Sequence, residues 1–514
     1  MKPALVFLHK WLGVALALLF LVWFLSGVVL YFVPFPALTQ TERLAGLPAL
    51  QLPAGCCLAP DAAASRAGLR WTEARLGLLG DRPVWRVRTS GTTDPNRAAR
   101  WQVLDARDGT APPPLAEAQA AAVAAAFAGR AATGTVPLLR DQWTVPQGLD
   151  PWRPLVKVAM QGDDGLELYV SAGAAEVVRD TRRAERFWNW VGAVPHWIYP
   201  TVLRQSPRAW QQVVVALALP GTLLALSGVV LGVWQLFLNR ARWIPYRRFW
   251  MRWHHIAGLL AGVATLTWIF SGLLSMNPFG VFSPYGALPA ESVRWEGGAA
   301  VFRRNPAEAL ALAAAQGWAP RELEAGRIAG QAWYRLRGPG REALLRADGE
   351  GPAALVDAVP DATVRAALAG LRAGDAAAGT PALQRIDAYD DLYYAPRPHD
   401  PDSRHGLPLP VWRATWADGV VAYADPASAR LLLRADSSGR WQRWLYHGLH
   451  SLDIAPLLAR PALRDALVLG LSALGTALCI TSCAVAWRVL VPRRRRPDRP
   501  APVASAATAG EGGR

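Results

Sequence analysis

Four long apolar runs interrupt the 514-residue chain. They extend over Leu12–Val33, Val213–Leu238, Ile256–Met276 and Ala466–Val491. Each is long enough to cross the hydrocarbon core of a bilayer, for which a helix needs about 20 residues. The first run is too long for the apolar part of a signal peptide, and no small-residue cleavage site follows it, so we expect a retained anchor. The pattern therefore predicts four transmembrane helices.

The two long segments between these runs have different patterns. Val84–Arg88 and Trp101–Leu104 alternate apolar and polar residues, which predicts a pair of strands. Ala116–Ala128 is predicted to be a helix. Leu166–Val170 and Val420–Tyr423 each follow an Asp-Gly turn and are predicted to be strands. We therefore expect one small α+β module in each segment.

Composition and charge also indicate a membrane protein. Charged residues make up only 18% of the sequence, whereas soluble proteins have about 25%. The formal net charge is +16, but the basic residues cluster beside the apolar runs, at Lys2, Lys10, Arg240, Arg242, Arg247, Arg248, Arg252, Arg488 and Arg493–Arg496. All these clusters fall on the cytoplasmic side if both termini are cytoplasmic, as the positive-inside rule requires. The charge is thus a topology signal, and no nucleic-acid partner is expected.

The two halves of the sequence match each other in register. Residues of the first half recur 245 positions later near its start and 254 positions later near its end. The first set is His9, Gly13, Trp23, Ser26 and Gly27; the second is Asp164, Gly165, Tyr169, Arg186, Trp190, His196, Pro207 and Gly221. This agreement predicts a tandem duplication, and hence a membrane α+β protein with a four-helix transmembrane bundle. A pseudo-two-fold axis along the membrane normal would relate the halves.

These expectations divide the chain into seven units. The first transmembrane helix occupies 1–34, an exported module 35–195, and an interfacial segment with the second helix 196–240. A cytoplasmic Arg-rich loop and the third helix occupy 241–276, the second exported module 277–445, and another interfacial segment with the fourth helix 446–492. Residues 493–514 are rich in Pro, Ala and Gly and are expected to form a disordered cytoplasmic tail.

Histidines lie at both ends of the predicted helices. The duplication pairs His9 with His254 on the cytoplasmic side, and His196 with His450 on the exported side. Ionisable groups at membrane depth are rare and mostly functional, and two opposed imidazoles are the ligand set of a six-coordinate haem iron. We therefore predict two haem b groups, each held through its iron by one pair.

Two further histidines and two glycines bear on the same sites. His255 and His447 are alternative ligands, each within one turn of a predicted one, and His447 is also placed to contact a haem propionate. Gly13 and Gly258 lie one turn after the first histidine of each half, on the same helix face. Each would leave room for a flat macrocycle beside the helix, although close helix packing explains a glycine equally well.

The four cysteines match no zinc, haem-attachment or disulfide-framework spacing. Cys56 and Cys57 are adjacent, and the sequence assigns them no role.

The starts of the first and third apolar runs resemble the PepSY-associated transmembrane helix family. The similar residues are His9-Lys10-Trp11-Leu12-Gly13 and Trp253-His254-His255-Ile256-Ala257-Gly258, the apolar stretch 219–228, His450 and the Asp-Gly hairpins. The resemblance covers nearly all of residues 1–490. The family includes iron-regulated inner-membrane proteins similar to ferric-siderophore reductases. The resemblance therefore implies a multi-pass protein of the bacterial inner (cytoplasmic) membrane, in contact with lipid, with PepSY-like exported modules and electron transfer through haem.

Two functions of different classes are open. The first is a di-haem b-type transmembrane electron-transfer protein, an oxidoreductase that reduces an exported-side acceptor such as the ferric iron of a siderophore. No GxGxxG motif follows a predicted strand, so its electron donor would be quinol or a separate reductase. The alternative is a non-redox membrane protein whose PepSY modules bind peptides or regulate a partner protease. No catalytic residue is assigned in either case.

Overall fold

The computed structural model describes residues 2–89, 99–238, 243–283, 286–298, 300–400 and 407–491. Its helices are α1 (Lys2–Phe32), α2 (Gln40–Gly46), α3 (Pro60–Arg66), α4 (Glu117–Ala128), α5 (Arg183–Val191), α6 (Ala193–His196), α7 (Thr201–Arg204), α8 (Pro207–Leu238), α9 (Phe249–Ser275), α10 (Pro289–Glu296), α11 (Pro306–Ala315), α12 (Asp361–Gly370), α13 (Ser437–Gln442), α14 (Leu449–Ser451), α15 (Ala455–Leu458) and α16 (Pro461–Leu490). Short 3-10 helices occupy Gln147–Trp152 and Pro278–Gly280, and a π-helix occupies Arg443–Gly448.

The strands fall into three antiparallel sheets. In chain order they are β1 (Trp71–Leu79), β2 (Arg82–Thr89), β3 (Trp101–Asp105), β4 (Ala132–Leu138), β5 (Leu155–Met160), β6 (Glu167–Ser171), β7 (Glu176–Thr181), β8 (Glu322–Ile328), β9 (Gln331–Gly338), β10 (Arg341–Arg346), β11 (Leu355–Val356), β12 (Ala382–Ile386), β13 (Val411–Thr415), β14 (Val421–Asp425) and β15 (Arg430–Ala435).

The four predicted membrane helices are confirmed as α1, α8, α9 and α16, which are long and apolar enough to cross a bilayer. Each begins five or more residues before its predicted run, because helical hydrogen bonding continues through the residues that precede the apolar stretch. The expected tail 493–514 and the basic residues Arg240, Arg242 and Arg493–Arg496 lie outside the described residues.

These four helices pack into a bundle. α8 packs against α1 and α9, and α16 packs against the same two helices, so α1 and α9 face each other diagonally. Phe20 and Phe24 of α1 are buried in the bundle core. Glycines on neighbouring helices admit these rings: a Cβ at Gly475 would overlap Phe24, and one at Gly221 would lie 3.1 Å from Phe20. The bundle thus has a close-packed aromatic centre.

The largest sheet joins both of the long segments. Its seven strands run in the order β11-β10-β9-β8-β1-β2-β3, and the two segments meet where Arg75 of β1 lies opposite Glu324 of β8. The predicted pair of strands is confirmed as β2 and β3, with Trp85 opposite Leu104. The sequence predicts one small α+β module in each segment, and the structure adds that both segments contribute strands to this shared sheet.

Each segment also forms a four-stranded sheet of its own. The orders are β4-β5-β6-β7 and β12-β13-β14-β15, and the third and fourth strands of each carry a register shift just after a tyrosine, Tyr169 or Tyr423. The predicted helix 116–128 is confirmed as α4, which buries Ala120 and Ala124 against the first of these sheets. The predicted strands 166–170 and 420–423 are found as β6 and β14.

A buried ion network ties the two segments together around the shared sheet. Arg43 donates hydrogen bonds of 2.8 and 2.7 Å to Glu322, and Arg75 donates one of 2.6 Å to Glu176. Burial alone would raise the pKa of Glu322, but Arg43 and Arg75 hold that pKa well below its usual range. The carboxylate is therefore ionised at neutral pH.

Cys56 and Cys57, which had no predicted role, form a disulfide bond with each other. Asn305 donates a hydrogen bond of 3.2 Å to the carbonyl oxygen of Cys57 and so holds this turn against the start of α11.

Candidate functional site

His9 and His254 face each other across one end of the bundle. They lie on the diagonal helices α1 and α9, and their ring centroids are 6.2 Å apart. The structure therefore brings together the first pair that the sequence predicted to be opposed.

His196 and His450 form the same arrangement at the other end. Each follows one of the four-stranded sheets on a short helix, α6 or α14, which returns the chain to the bundle. Their ring centroids are also 6.2 Å apart. Loss of solvation lowers the pKa of each to about 4, so both imidazoles are neutral at physiological pH.

The Nδ1 atom of each of the four imidazoles is anchored. Its nearest acceptors are Leu224 O for His9 (3.2 Å), Trp23 O for His196 (3.1 Å), Trp268 O for His450 (3.1 Å) and Ser482 Oγ for His254 (3.2 Å). A carbonyl can only accept, and the hydroxyl hydrogen of Ser482 is already donated to Leu478 O at 2.7 Å. Nδ1 therefore carries the proton in each ring. Nε2 keeps its lone pair, which is the usual state of a metal-ligating histidine.

The separation of the rings fits a metal ion held between them. A metal–imidazole bond is about 2.0 Å, and the ring nitrogen lies about 1.1 Å from its centroid, so trans imidazoles on one metal have centroids roughly 6 to 6.5 Å apart. No group of three or more histidine, cysteine or acidic side chains is arranged to hold a metal within the described ranges. An iron porphyrin brings four nitrogen ligands of its own and takes one further ligand on each side, so two opposed imidazoles fit that group.

Glycines make room for three of the four imidazoles. A Cβ would lie 2.8 Å from His9 Cε1 at Gly228, 2.9 Å from His196 Cε1 at Gly27, and 3.4 Å from His450 Cε1 at Gly272. The internal repeat includes Gly27, but none of these three contacts with an imidazole was predicted from the sequence.

Gly13 and Gly258 lie next to leucine side chains of neighbouring helices. A Cβ would meet Leu224 at 3.7 Å and Leu478 at 3.8 Å, which are ordinary packing distances. Their predicted role in making room for a macrocycle stays a prediction.

The alternative histidines lie outside the two facing pairs and have other neighbours. His255 turns its Nε2 toward Trp243 O, at 3.2 Å, and its ring toward Tyr246. His447 lies beside Tyr446, with its Nδ1 4.0 Å from Asp453. Their neighbours His254 and His450 are the ones that complete the two pairs.

The two pairs lie near opposite ends of the bundle. Gly27, which contacts His196, follows His9 by 18 residues on α1, a rise of about 27 Å. This is close to the roughly 30 Å thickness of the hydrocarbon core. The pairs are therefore spaced as two centres near opposite membrane surfaces would be.

A family model described as the PepSY-associated TM region matches residues 6–337, which include His9, His196 and His254. Comparison with curated proteins finds no match. The family match and the four long apolar helices together identify a membrane protein.

Proposed function

Because the chain belongs to the PepSY-associated TM region family, we propose that it is a di-haem b-type electron-transfer protein of the bacterial inner membrane. It reduces an acceptor on the exported side, such as the ferric iron of a siderophore, with electrons from quinol or a separate reductase. The observation that carries this proposal is the equal 6.2 Å separation of two imidazole pairs at opposite ends of one bundle.

The chain's own residues hold and orient the cofactor. His9 and His254 would hold it at one end, and His196 and His450 at the other, each through Nε2 because Nδ1 is anchored. Haem supplies reversible one-electron chemistry when it is bound. The apolar bundle excludes water from the ligands, and the glycines facing the rings let the imidazoles sit close to the helices.

A duplication accounts for the arrangement of both sites. Arg186 donates to the Gly165 carbonyl at 3.0 Å, and Arg440, 254 positions later, donates to the Gly419 carbonyl at 2.7 Å. The matched sheet orders and the diagonal placement of α1 and α9 support the same relation. In the proposed orientation the His9–His254 end of the bundle is cytoplasmic. The basic residues near this end in the sequence are Arg247, Arg248 and Arg252.

Vesicles test the function directly. The purified protein is reconstituted into liposomes that enclose ferricyanide, dithionite is added outside, and bleaching of ferricyanide is followed optically. We expect bleaching several times faster than in empty liposomes. The variants His9→Ala and His196→Ala should each return the rate to that of empty liposomes, because each removes one of two centres in series.

The matched control is His399→Ala, whose imidazole bonds Asp465 and belongs to neither pair. It should keep the wild-type rate. A wild-type rate equal to that of empty liposomes would contradict the proposal and favour a non-redox role of the sheets in binding peptides. A His9→Ala rate equal to a faster wild-type rate would contradict the assignment of the His9–His254 pair.

A further inference from the structure

A cleft of about 330 Å³ opens where α8 begins and α9 ends. Polar side chains and one indole line it: Gln147, Arg208, Trp210, Gln211 and Ser275, beside Met276. It therefore lies at the end of the bundle that holds His196 and His450.

Hydrogen bonds tie both walls of this cleft to that histidine pair. Trp210 donates through Nε1 to the carbonyl oxygen of Trp197, the residue after His196, at 2.8 Å. Ser275 donates to the carbonyl oxygen of Gly272 at 2.6 Å, and Gly272 contacts His450. One wall of the cleft is thus bonded to the residue that follows His196, and the other to the glycine that lies beside His450.

The surroundings of the cleft are cationic. No aspartate or glutamate occurs between Glu185 and Glu291, a stretch that includes α8 and α9. Arg208 is exposed at the cleft. The nearest acid along the 3-10 helix that carries Gln147 is Asp150, which is paired with Arg140 and Arg153.

Arg204 adds a buried charge behind the wall. It is 8% exposed, and its guanidinium lies 4.6 Å from the ring centroid of Trp210 and 5.1 Å from that of Tyr199. Its Nε and Nη1 have no hydrogen-bond partner among the described residues. A buried cation without a carboxylate favours an anion nearby.

The corresponding junction between α1 and α16 is filled instead. Tyr31 donates to Asp465 at 2.6 Å, His399 Nε2 lies 2.9 Å from the same carboxylate, and Arg464 donates to Tyr31 at 2.8 Å. Asp465 stands 254 positions after Gln211, which lines the open cleft. The two halves have therefore diverged at this point, one toward a sealed junction and the other toward an accessible one.

We propose that the cleft between α8 and α9 binds an anionic metal chelate and is the acceptor site of the protein. This rests on the proposed function for the electron: the reduced protein gives up one electron, and the Fe(III) of the chelate becomes Fe(II), with no bond formed to the protein. Arg208, which lines the cleft, and Arg204, which lies against the Trp210 ring, attract the chelate to the end of the bundle that holds the His196–His450 pair.

Binding can be tested without redox chemistry by using the gallium(III)–EDTA anion, which is not reduced. The full-length protein in phosphatidylcholine nanodiscs is equilibrated with the probe by dialysis, and bound gallium is measured. Arg208→Gln and Arg204→Gln should each raise Kd about fivefold or more, since each removes one charge near the anion. Arg460→Gln, an exposed arginine at the start of α16, is the matched control and should stay within twofold. Arg204→Lys, which keeps the charge, should recover most of the binding.

Equal Kd values for wild type and Arg208→Gln would overturn the inference, as would no binding to wild type. The same probe is also tested in nanodiscs in which phosphatidylglycerol replaces phosphatidylcholine. If gallium binding is lost there and a higher probe concentration does not restore it, a lipid phosphate occupies the cleft and the inference is overturned. Haem content, measured on the same samples, reports separately on the proposed function, because gallium binding does not require haem.

Discussion

Replacing Gly27 by alanine should eliminate one of the two proposed haem sites. The new Cβ would lie 2.9 Å from Cε1 and 3.2 Å from Nδ1 of His196. The imidazole has little freedom to retreat, because its Nδ1 is bonded to the carbonyl oxygen of Trp23 at 3.1 Å. Either that bond breaks or the ring moves away from α1.

The size of the displacement follows from contact distances. Carbon atoms pack favourably at about 3.5 to 4.0 Å, so the ring must move by at least roughly 0.5 Å. Metal sites keep their ligand distances within about 0.2 Å. We therefore expect the Gly27→Ala variant to retain about half of the wild-type haem, with the remainder bound by His9 and His254.

The assay is the pyridine haemochrome absorbance per mole of protein after membrane extraction and purification. The matched control is Gly272→Ala, at the corresponding position of α9, where the Cβ would lie 3.4 Å from His450 and require little movement. It should keep close to the full haem content. Equal haem in Gly27→Ala and wild type would refute the reasoning, since His196 would then tolerate the displacement or not bind haem.

Three other changes have defined outcomes. Ser482→Ala leaves Nδ1 of His254 without its acceptor and should weaken haem retention at that pair about 10- to 100-fold. Retention is measured by transfer of haem to apomyoglobin, and unchanged transfer kinetics would count against the pair. Glu322→Gln leaves Arg43 partly unpaired in the buried network and should lower the free energy of unfolding by about 3 to 5 kcal/mol. The midpoint of chemical denaturation should therefore fall, and an unchanged midpoint would contradict the role given to the network. Burial, with repulsion from neighbouring acids, raises the pKa of Asp180 to about 6, so ionisation costs stability as the pH rises through 6. Asp180→Asn should therefore stabilise the protein by about 1 to 2 kcal/mol at pH 8 and have no effect at pH 4; equal effects at both pH values would exclude ionisation as the cause.

The sequence predicted the membrane helices and the histidine pairs for one shared reason. A run of about 20 apolar residues has few structures available to it in a bilayer, and a repeat in constant register fixes which residues correspond. His9 and His254 could therefore be paired before their distance was known. The choice between His254 and His255 needed only this correspondence, and the structure places His254 opposite His9.

The glycine contacts could not be predicted in the same way. Gly228 lies against His9 because of the axial position and the rotation of α8 relative to α1. Neither quantity follows from the sequence pattern of α1. Gly13 and Gly258 share a face with the histidines but meet leucines of neighbouring helices instead. A glycine's neighbour is decided by helix packing, which a single helix does not encode.

The shared seven-stranded sheet also escaped prediction. β1 and β8 are separated by more than 240 residues, and their pairing depends on the two segments meeting at Arg75 and Glu324. Each strand alone has the pattern of an ordinary half-buried strand, so nothing local distinguishes pairing within a segment from pairing between segments. The cleft beside Trp210 was missed for a similar reason, since its walls come from three separate parts of the chain.

The most direct test of the account is the amount and coordination of haem in the purified protein. Protein from haem-replete cells should contain two haem b groups per chain, and its oxidised electron paramagnetic resonance spectrum should show two low-spin signals from bis-histidine iron. His9→Ala should remove one signal and His450→Ala the other. Haem-free protein, or a single high-spin signal that persists in both variants, would contradict the claim that the two imidazole pairs each hold one iron.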